Sequence, residues 1–247
     1  MIFVIASKDL KTLFSSPLAW TILAILNVIT AWLFLSLIND YLTRQLQFAQ
    51  YVNPPGVTEF IVASSFGISA VFLMIVTPIL SMRLISEEKR HRTLTLMISA
   101  PVSMTDIVLG KFIGLMVFLL APILLLALMS LSLYAGGTLD LGLFASNILG
   151  ITLLVSSFAA LSLYISSLTA QPLIAAIGGL GALLGLWIVN LSATDPNSVL
   201  HILSLLKHFE PFNRGLINSA DIAFYILFTT TFLVLAIRQL DKERLRG

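Results

Sequence analysis

Few side chains in this chain are of the types that catalyse reactions or bind metal ions. The three histidines, His91, His201 and His208, are scattered, and no cluster of carboxylates accompanies them. His201 and His208 lie seven residues apart and could share a helix face, but histidines in loops are common. The chain contains no cysteine, which excludes disulfides and cysteine-based metal sites. We therefore predict no metal site and no bound cofactor in this chain.

The chain also lacks the motifs of nucleotide hydrolysis and proteolysis. It contains no G-x-x-x-x-G-K-[ST] stretch, hence no P-loop, and no H-E-x-x-H pair. The long apolar segments contain no Asp, Glu, Lys, Arg or His, although ion-coupled carriers keep an ionisable group at membrane depth. Intramembrane proteases need two aspartates, or a serine with a histidine, at that depth. We therefore predict that the protein is not an enzyme and that a partner supplies the energy for its work.

The composition is that of an integral membrane protein. The chain has 247 residues, of which 58% are hydrophobic and 11% are charged, and its mean hydropathy is +1.00. Apolar runs near 20 residues match the thickness of the hydrocarbon core of a bilayer. We predict a single transmembrane domain over residues 1–247. Its six spans are expected at residues 18–38, 60–82, 112–134, 143–165, 173–191 and 222–237.

The predicted spans hold a few polar and small residues whose role the sequence leaves open. Asn27 and Thr30 share a helix face, where they could line a path or hydrogen-bond to a neighbouring helix. The fifth span contains a G-x-x-x-G spacing, which permits close approach of helices within this chain or across a dimer. The glycines of that span are Gly178, Gly179, Gly181 and Gly185.

The distribution of lysine and arginine predicts the orientation. If the N-terminus is cytoplasmic, eleven of these residues lie in the inside segments, and only Arg44, Lys207 and Arg214 lie outside. This bias places both termini and the 83–111 loop in the cytoplasm, as in a multi-pass protein of the bacterial inner membrane. The basic residues flank spans and lack interleaved aromatic residues, so we expect no binding to nucleic acid.

The segment before the first span has the pattern of an amphipathic helix. Lys8, Lys11 and Ser15 fall on one side, which predicts an interfacial helix that turns its apolar side to the lipid. The alternative is a frayed extension of the first span. The apolar residues at near-helical spacing are Ile2, Ile5, Ala6, Leu10, Leu13 and Phe14.

The outer segment before the sixth span is apolar in part but too short to cross a bilayer. Residues 199–206 are apolar, and we expect Pro211 and Gly215 to break the chain after them. Two short re-entrant helices over residues 197–219 would fit this pattern if the protein surrounds their backbone. An ordinary outer loop with one surface helix would also fit it.

The densest run of charge is SEEKRHRTLTLMISAPVS, residues 86–103, between the second and third spans. Glu87 lies four residues from both Arg83 and His91, so a helix would pair these side chains. Leu94, Met97 and Ile98 then form an apolar stripe, and Pro101 ends the helix. This arrangement predicts a projection offered to a cytoplasmic partner. The alternative is a charged interfacial hairpin that only anchors two spans.

The pattern R-L-I-S-E-E-K-R-x-x-T-L-x-L-x-x-x-x-P-V-S-x-x-x-I-V-L-G-K-F, residues 83–112, resembles the permease subunits of ABC-2-type transporters. It is most similar to the branch that contains the gliding-motility permease and the nitrous-oxide-reductase maturation permease. The stretch F-N-R-G-L-I-N-S-A-D-I-A-F-Y, residues 212–225, also resembles that branch. Two positions depart from the pattern, with Arg92 where the family usually has glycine and Thr95 where it usually has glutamate.

The resemblance implies a fold and a set of partners. The fold would be all-α, with six transmembrane helices, an N-terminal interfacial helix, a cytoplasmic coupling helix between spans 2 and 3, and short re-entrant helices before span 6. Two ABC ATPase subunits, which carry ATP and Mg²⁺, would dock beneath a pair of permeases, the second being another copy or a homologue. An auxiliary membrane subunit with a periplasmic domain is also implied.

The function implied is that of an exporter-type permease, which couples ATP hydrolysis by the separate ATPase to movement of a substrate across the membrane. The alternative is a non-transporting subunit that passes ATPase-driven force to a periplasmic partner. Both use the charged segment, and the sequence does not identify a substrate. The residues expected to couple to the ATPase are Glu87, Glu88, Lys89, Arg90, Thr93, Leu94, Met97, Ile98 and Pro101.

Overall fold

The computed structural model describes residues 1–48, 56–91, 103–136, 138–192 and 204–246, and these residues are helical with short connections and contain no strand. Two π-helical turns, Thr58–Ala63 and Arg83–Glu87, flank the second long helix at its two ends. The helices are α1 (Ile2–Ser15), α2 (Pro17–Phe48), α3 (Ser64–Ser81), α4 (Glu88–Arg90), α5 (Met104–Ser132), α6 (Leu141–Leu168), α7 (Pro172–Ser192), α8 (Leu205–Asn213) and α9 (Ser219–Arg246).

Five described helical segments are long and apolar enough to cross a membrane, which confirms the prediction of an all-helical, multi-pass membrane protein. The apolar stretch of α7, Pro172–Ile188, is shorter than these five segments, so the count of six spans stays a prediction. The five segments are Pro17–Gln47, Thr58–Arg90, Met104–Ala135, Leu141–Leu168 and Ser219–Arg244.

Helix α6 lies at the centre of the helical bundle and contacts α3, α5, α7, α8 and α9. Small residues on its buried surface, such as Gly150 and Ala160, let neighbouring helices come close. A Cβ atom at Gly150 would lie 2.5 Å from the Cβ of Phe212, which is fully buried. The Ser157 hydroxyl lies 3.2 Å from that of Thr229 and joins α6 to α9.

Helix α1 packs along the first half of α5. A Cβ atom at Gly110 would lie 2.8 Å from the Cβ of Ile5, and one at Gly114 would lie 3.0 Å from the carbonyl oxygen of Ala6. Ile5 and Leu13 of the predicted apolar stripe are buried against protein, whereas Phe14 of the same stripe is exposed, so the interfacial position of α1 stays a prediction. Apolar side chains elsewhere on α1 are also exposed, namely Met1, Phe3 and Val4.

The polar side chains of the spans bond mainly to their own helices. Asn27 Nδ2 donates to the carbonyl of Leu23, and Thr30 Oγ1 donates to that of Leu26, each at 2.8 Å. Among the described residues neither of these donors bonds to a neighbouring helix, because the carbonyl four residues back competes for it. A path lined by these residues stays a prediction. The glycines of α7 divide into two groups. A Cβ at Gly179 would lie 3.1 Å from Pro78, whereas none of the described atoms lies within 4 Å of such an atom at Gly181 or Gly185.

The short helix α8 is packed against α6 and α9. Ser146 Oγ donates to the carbonyl of Phe212 at 2.9 Å, and Tyr225 Oη donates to the carbonyl of Leu205 at 2.7 Å. Pro211 lies inside α8 and does not break it, since the helix continues for two more residues to Asn213. Gly215 follows with φ of 81°, which ends the helix as glycine at this position commonly does.

Residues 197–203 of the expected re-entrant segment, including His201, lie outside the described residues, so re-entry stays a prediction. His208 belongs to the described part and is stacked on Phe224, with ring centroids 3.9 Å apart. Its Nδ1 lies 2.5 Å from Oδ1 of Asp221. This histidine therefore joins α8 to the start of α9.

Candidate functional site

The charged segment after the second span is a direct continuation of that span. The helix continues from α3 through the π-helical turn Arg83–Glu87 into α4, Glu88–Arg90. In a π-helical turn the side chains rotate out of four-residue register. The expected pairing of Arg83 with Glu87 is not formed among the described residues, and Arg83 Nη1 donates to Ser16 Oγ at 2.9 Å. The expected site residues Thr93, Leu94, Met97, Ile98 and Pro101 lie outside the described residues.

Glu88 joins the charged segment to both α1 and α5. Its Oε1 lies 3.1 Å from Lys8 Nζ, and its Oε2 lies 2.7 Å from Lys111 Nζ. Lys111 also approaches Asp9, with 3.3 Å between Nζ and Oδ2. Two lysines and two carboxylates from three helices thus form a balanced cluster. We call Lys8, Asp9, Glu88 and Lys111 the charge cluster.

Lys111 is the most buried member of the charge cluster, since none of its side chain is exposed. A lysine that remains charged in such a place must be paired, because an isolated buried ammonium group is strongly destabilised. Gly110 and Gly114 allow α1 to approach α5 on either side of Lys111, which brings Asp9 within reach. The glycines on this helix therefore shape the site that the lysine occupies.

The sequence prediction missed Asp9 and treated Lys111 only as a marker of orientation. The third span was expected to begin at residue 112, but α5 begins at Met104, and Lys111 lies inside the helix. The G-K-x-x-G spacing around Lys111 was the available signal, because two glycines four residues apart on a helix mark a close neighbour. An aspartate on the buried side of α1 was the complementary signal.

Burial raises the pKa of Asp9 above its ordinary value of 3.8, and the nearby Lys111 opposes this shift without cancelling it. The cause is the loss of hydration of the charged carboxylate. The charged form of Asp9 is therefore less favourable in the folded protein than in the unfolded chain. Glu88, which lies between the two lysines, is the principal counter-charge of Lys111.

Lys89 joins the same segment to the cytoplasm-side ends of α6 and α9 under the predicted orientation. Its Nζ lies 2.5 Å from Oε1 of Glu243 and also donates to the carbonyl of Ser167. Gln239 Nε2 donates to the same oxygen of Glu243 at 3.4 Å. A charged group of α4 is thus fixed to the last helix of the bundle.

Backbone and hydroxyl contacts also join residues 83–89 to neighbouring helices, and we call this set of contacts the junction. The N–H of Ser86 donates to Ser166 Oγ at 3.2 Å, and both serines are fully buried. The segment 83–89 therefore bonds to α1, to the residue before α2, and to α5, α6 and α9. A displacement of α4 must move or strain contacts to each of these elements.

Glu87 and Arg90 differ from their neighbours. Neither forms an ion pair within the part of the chain that the structure describes, and Arg90 is exposed. Glu88 and Lys89 are ion-paired to other helices, whereas Arg90 is exposed and Glu87 is half-buried beside the cavity between α1 and this segment. We call Glu88 and Lys89 the inward pair, and Glu87 and Arg90, which form no ion pair among the described residues, the outward pair.

The apolar helices and the junction at their common end define a multi-pass membrane protein in which one charged turn connects several spans. The model of a family described as "ABC-2 family transporter protein" matches residues 3–243. The chain belongs to that family and is a permease subunit of an ABC transporter, which confirms the resemblance at family level. Permeases of this family generally work with an ABC ATPase subunit and are typically not catalytic themselves. A search of curated proteins found no match.

Proposed function

We propose that the chain is an exporter-type permease in which α4 receives motion from a separate ATPase and passes it to the spans. The observation that carries the proposal is the division of residues 87–90. The outward pair, Glu87 and Arg90, meets the ATPase, and the inward pair, Glu88 and Lys89, is ion-paired to other helices at 2.7 and 2.5 Å.

The inward ion pairs suit transmission because they connect rigid elements. Glu88 pairs with Lys111 in α5, and Lys89 pairs with Glu243 in α9. Ion pairs with buried or half-buried partners resist separation, since breaking one leaves an uncompensated charge. When ATP binding moves the ATPase subunits, α4 carries α1, α5 and α9 with it. The residues beyond position 91 that the sequence assigns to this contact remain part of the proposal.

The proposal includes a location, an orientation and an assembly. The protein lies in the bacterial inner membrane with both termini and α4 in the cytoplasm, as the lysine and arginine bias indicates. Two permeases, two ATPase subunits carrying ATP and Mg²⁺, and an auxiliary membrane subunit form the complex. The patterns of residues 83–112 and 212–225 support the branch of gliding-motility and nitrous-oxide-reductase maturation permeases.

Reversal of the outward pair, Glu87→Lys with Arg90→Glu, is expected to reduce stimulation of the ATPase by the permease about tenfold, because like charges then face each other at the interface. Glu88 is left intact because a lysine there would meet Lys8 and Lys111. The measurement is the ATPase rate of the purified complex. Stimulation equal to that of the parent would contradict the proposal.

The matched control reverses two exposed charges at the end of α9, Asp241→Lys with Lys242→Glu. This control changes the same number and kinds of charge on the same predicted side of the membrane, in α9 and not in α4, and it leaves the Lys89–Glu243 pair intact. Its ATPase stimulation should equal that of the parent protein. Equal losses in both variants would show a general charge effect and would also count against the proposal.

One observation favours a second function, in which the complex transmits force and does not transport. The hydroxyls of Thr30, Thr77 and Thr152 donate to carbonyls of their own helices, which leaves them no proton to donate to a substrate in a path. The two functions differ in a flux assay. Complexes that hydrolyse ATP normally but move no candidate substrate into vesicles would support force transmission.

A further inference from the structure

A groove of about 480 Å³ lies between the end of α1, the start of α2 and the end of the second span. A neighbouring cavity of about 300 Å³ shares Thr12, Ser16 and Arg83 with it, and the carboxylates of Asp9, Glu87 and Glu88 line that cavity and not the groove. The groove is lined by Lys11, Thr12, Ser15, Ser16, Pro17 and Arg83.

The charge of this groove is entirely positive. Lys11 and Arg83 are its two ionised lining residues, and no carboxylate lines it. Within the described part of the chain, neither has an ion-pair partner, and Arg83 uses Nη1 to donate to Ser16 Oγ. Because the Ser16 hydroxyl accepts this bond, its own proton remains available. Two cations and a hydroxyl donor around one space form an arrangement suited to a phosphate group.

The groove lies where the chain enters the membrane. Pro17 is the first residue of the first long apolar helix, and Trp20 follows in its first turn. Trp20 is 54% exposed, and its Nε1–H donates to the carbonyl of Phe14 at 2.5 Å. Tryptophans with one polar contact and an apolar exposed face are typical of the boundary between headgroups and acyl chains. A molecule in the groove would therefore have its anionic part beside Lys11 and Arg83 and its apolar part beside Trp20.

We propose that this groove binds the phosphate of an anionic phospholipid, with its acyl chains against the exposed face of α2. Lys11 and Arg83 hold the phosphate oxygens, and Ser16 donates to one of them. Basic recesses between helices at a membrane surface recognise anionic headgroups in this way. The site needs only that the chain spans a membrane and does not depend on the coupling proposed for α4. Free inorganic phosphate shares this chemistry, and the experiment separates the two sources.

The test measures binding of phosphatidylglycerol to the purified permease in detergent by native mass spectrometry, with phosphatidylcholine as the neutral comparison. Lys11→Gln and the double variant Lys11→Gln/Arg83→Gln are compared with Lys242→Gln/Arg244→Gln, which removes two exposed charges at the end of α9. Lys11 is exposed and forms no ion pair among the described residues, so the single variant should fold even if the double variant does not.

We expect Lys11→Gln to weaken retention of phosphatidylglycerol several-fold and the double variant to weaken it about tenfold or more, with the α9 control unchanged. Phosphatidylcholine should bind weakly to all four proteins, and inorganic phosphate at millimolar concentration should not displace the lipid. The proposal is overturned if the groove variants retain phosphatidylglycerol like the parent or if the α9 control loses as much. If inorganic phosphate displaces phosphatidylglycerol, the groove binds free phosphate, and the proposal that it binds a phospholipid is overturned.

Discussion

Replacement of Lys111 by methionine is expected to lower the free energy of unfolding by about 3–5 kcal/mol. The side chain is fully buried, and Nζ lies 2.7 Å from Glu88 and 3.3 Å from Asp9. Methionine fills similar space but leaves these carboxylates with Lys8 alone as a partner. The measurement is thermal or denaturant unfolding of the purified permease in detergent. Lys242→Met, at an exposed position, is the matched control and should unfold like the parent.

A second change in the charge cluster should restore part of this loss. The double variant Lys111→Met/Glu88→Gln is neutral within the cluster, so we expect it to be more stable than the sum of the two single changes predicts. Additive effects would contradict the direct pairing of these two side chains. A Lys111→Met variant as stable as the parent would contradict the account of the cluster as a whole.

Asp9→Asn should be milder than Lys111→Met. The raised pKa of Asp9 reflects burial, which disfavours the anionic form of this carboxyl. Replacing it with a neutral amide should therefore lower the free energy of unfolding by less than Lys111→Met does. Asp9→Asn should be compared with the parent by unfolding in detergent at neutral pH.

The raised pKa of Asp9 also makes the stability of the folded protein depend on pH. Because the folded state binds the Asp9 proton more tightly, the free energy of unfolding rises as the pH falls towards 3.8, and this contribution is lost as the pH rises. Asp9→Asn should remove that dependence.

Replacement of Gly110 by leucine should separate α1 from α5 and lower stability by about 1–3 kcal/mol. Even a Cβ atom at this position would lie 2.8 Å from the Cβ of Ile5 and 2.9 Å from the carbonyl oxygen of Ile2. The backbone of α1 cannot yield as a flexible side chain can. Because α1 carries Lys8 and Asp9, its displacement should also weaken the charge cluster. We therefore expect lower unfolding temperature together with reduced ATPase stimulation.

Gly181→Leu provides the matched control for Gly110→Leu. Both glycines lie in apolar helices, but none of the described atoms lies within 4 Å of a Cβ atom at Gly181. The two variants add the same side chain, so a difference between them reports on packing and not on hydrophobicity. Equal unfolding temperatures would show that α1 does not lie against α5 at Gly110.

The long helices and the position of the charged segment could be predicted from the sequence because hydropathy over some 20 residues reports directly on the bilayer. The extent of each helix could not. Hydropathy placed the third span after Lys111, whereas α5 begins at Met104 and includes the lysine. A charged residue interrupts an apolar run whether it faces water or a buried partner. Hydropathy therefore does not tell whether the residue is buried, because that depends on the helix packed against it.

The internal contacts of the charged segment were also beyond the sequence pattern. The i,i+4 rule paired Arg83 with Glu87, but the π-helical turn removes that register, and Arg83 reaches Ser16. The pairs Lys89–Glu243 and Glu88–Lys111 join residues far apart in the chain, which local spacing does not report. The resemblance of residues 83–112 singled out this segment, but only the packing shows which side chains pair with other helices.

The central claim is that α4 contacts the ATPase in the cytoplasm, and a single-cysteine experiment tests it most directly. The chain contains no cysteine, so Arg90→Cys and Tyr134→Cys each introduce one thiol. Both residues are exposed, and under the proposed orientation Arg90 lies on the cytoplasmic side and Tyr134, just beyond the end of α5, on the outer side. The account predicts that a short thiol–amine crosslinker joins Arg90→Cys, and not Tyr134→Cys, to the ATPase in the active complex. Crosslinking of the ATPase to Tyr134→Cys, or none to Arg90→Cys in a complex that hydrolyses ATP normally, would contradict it.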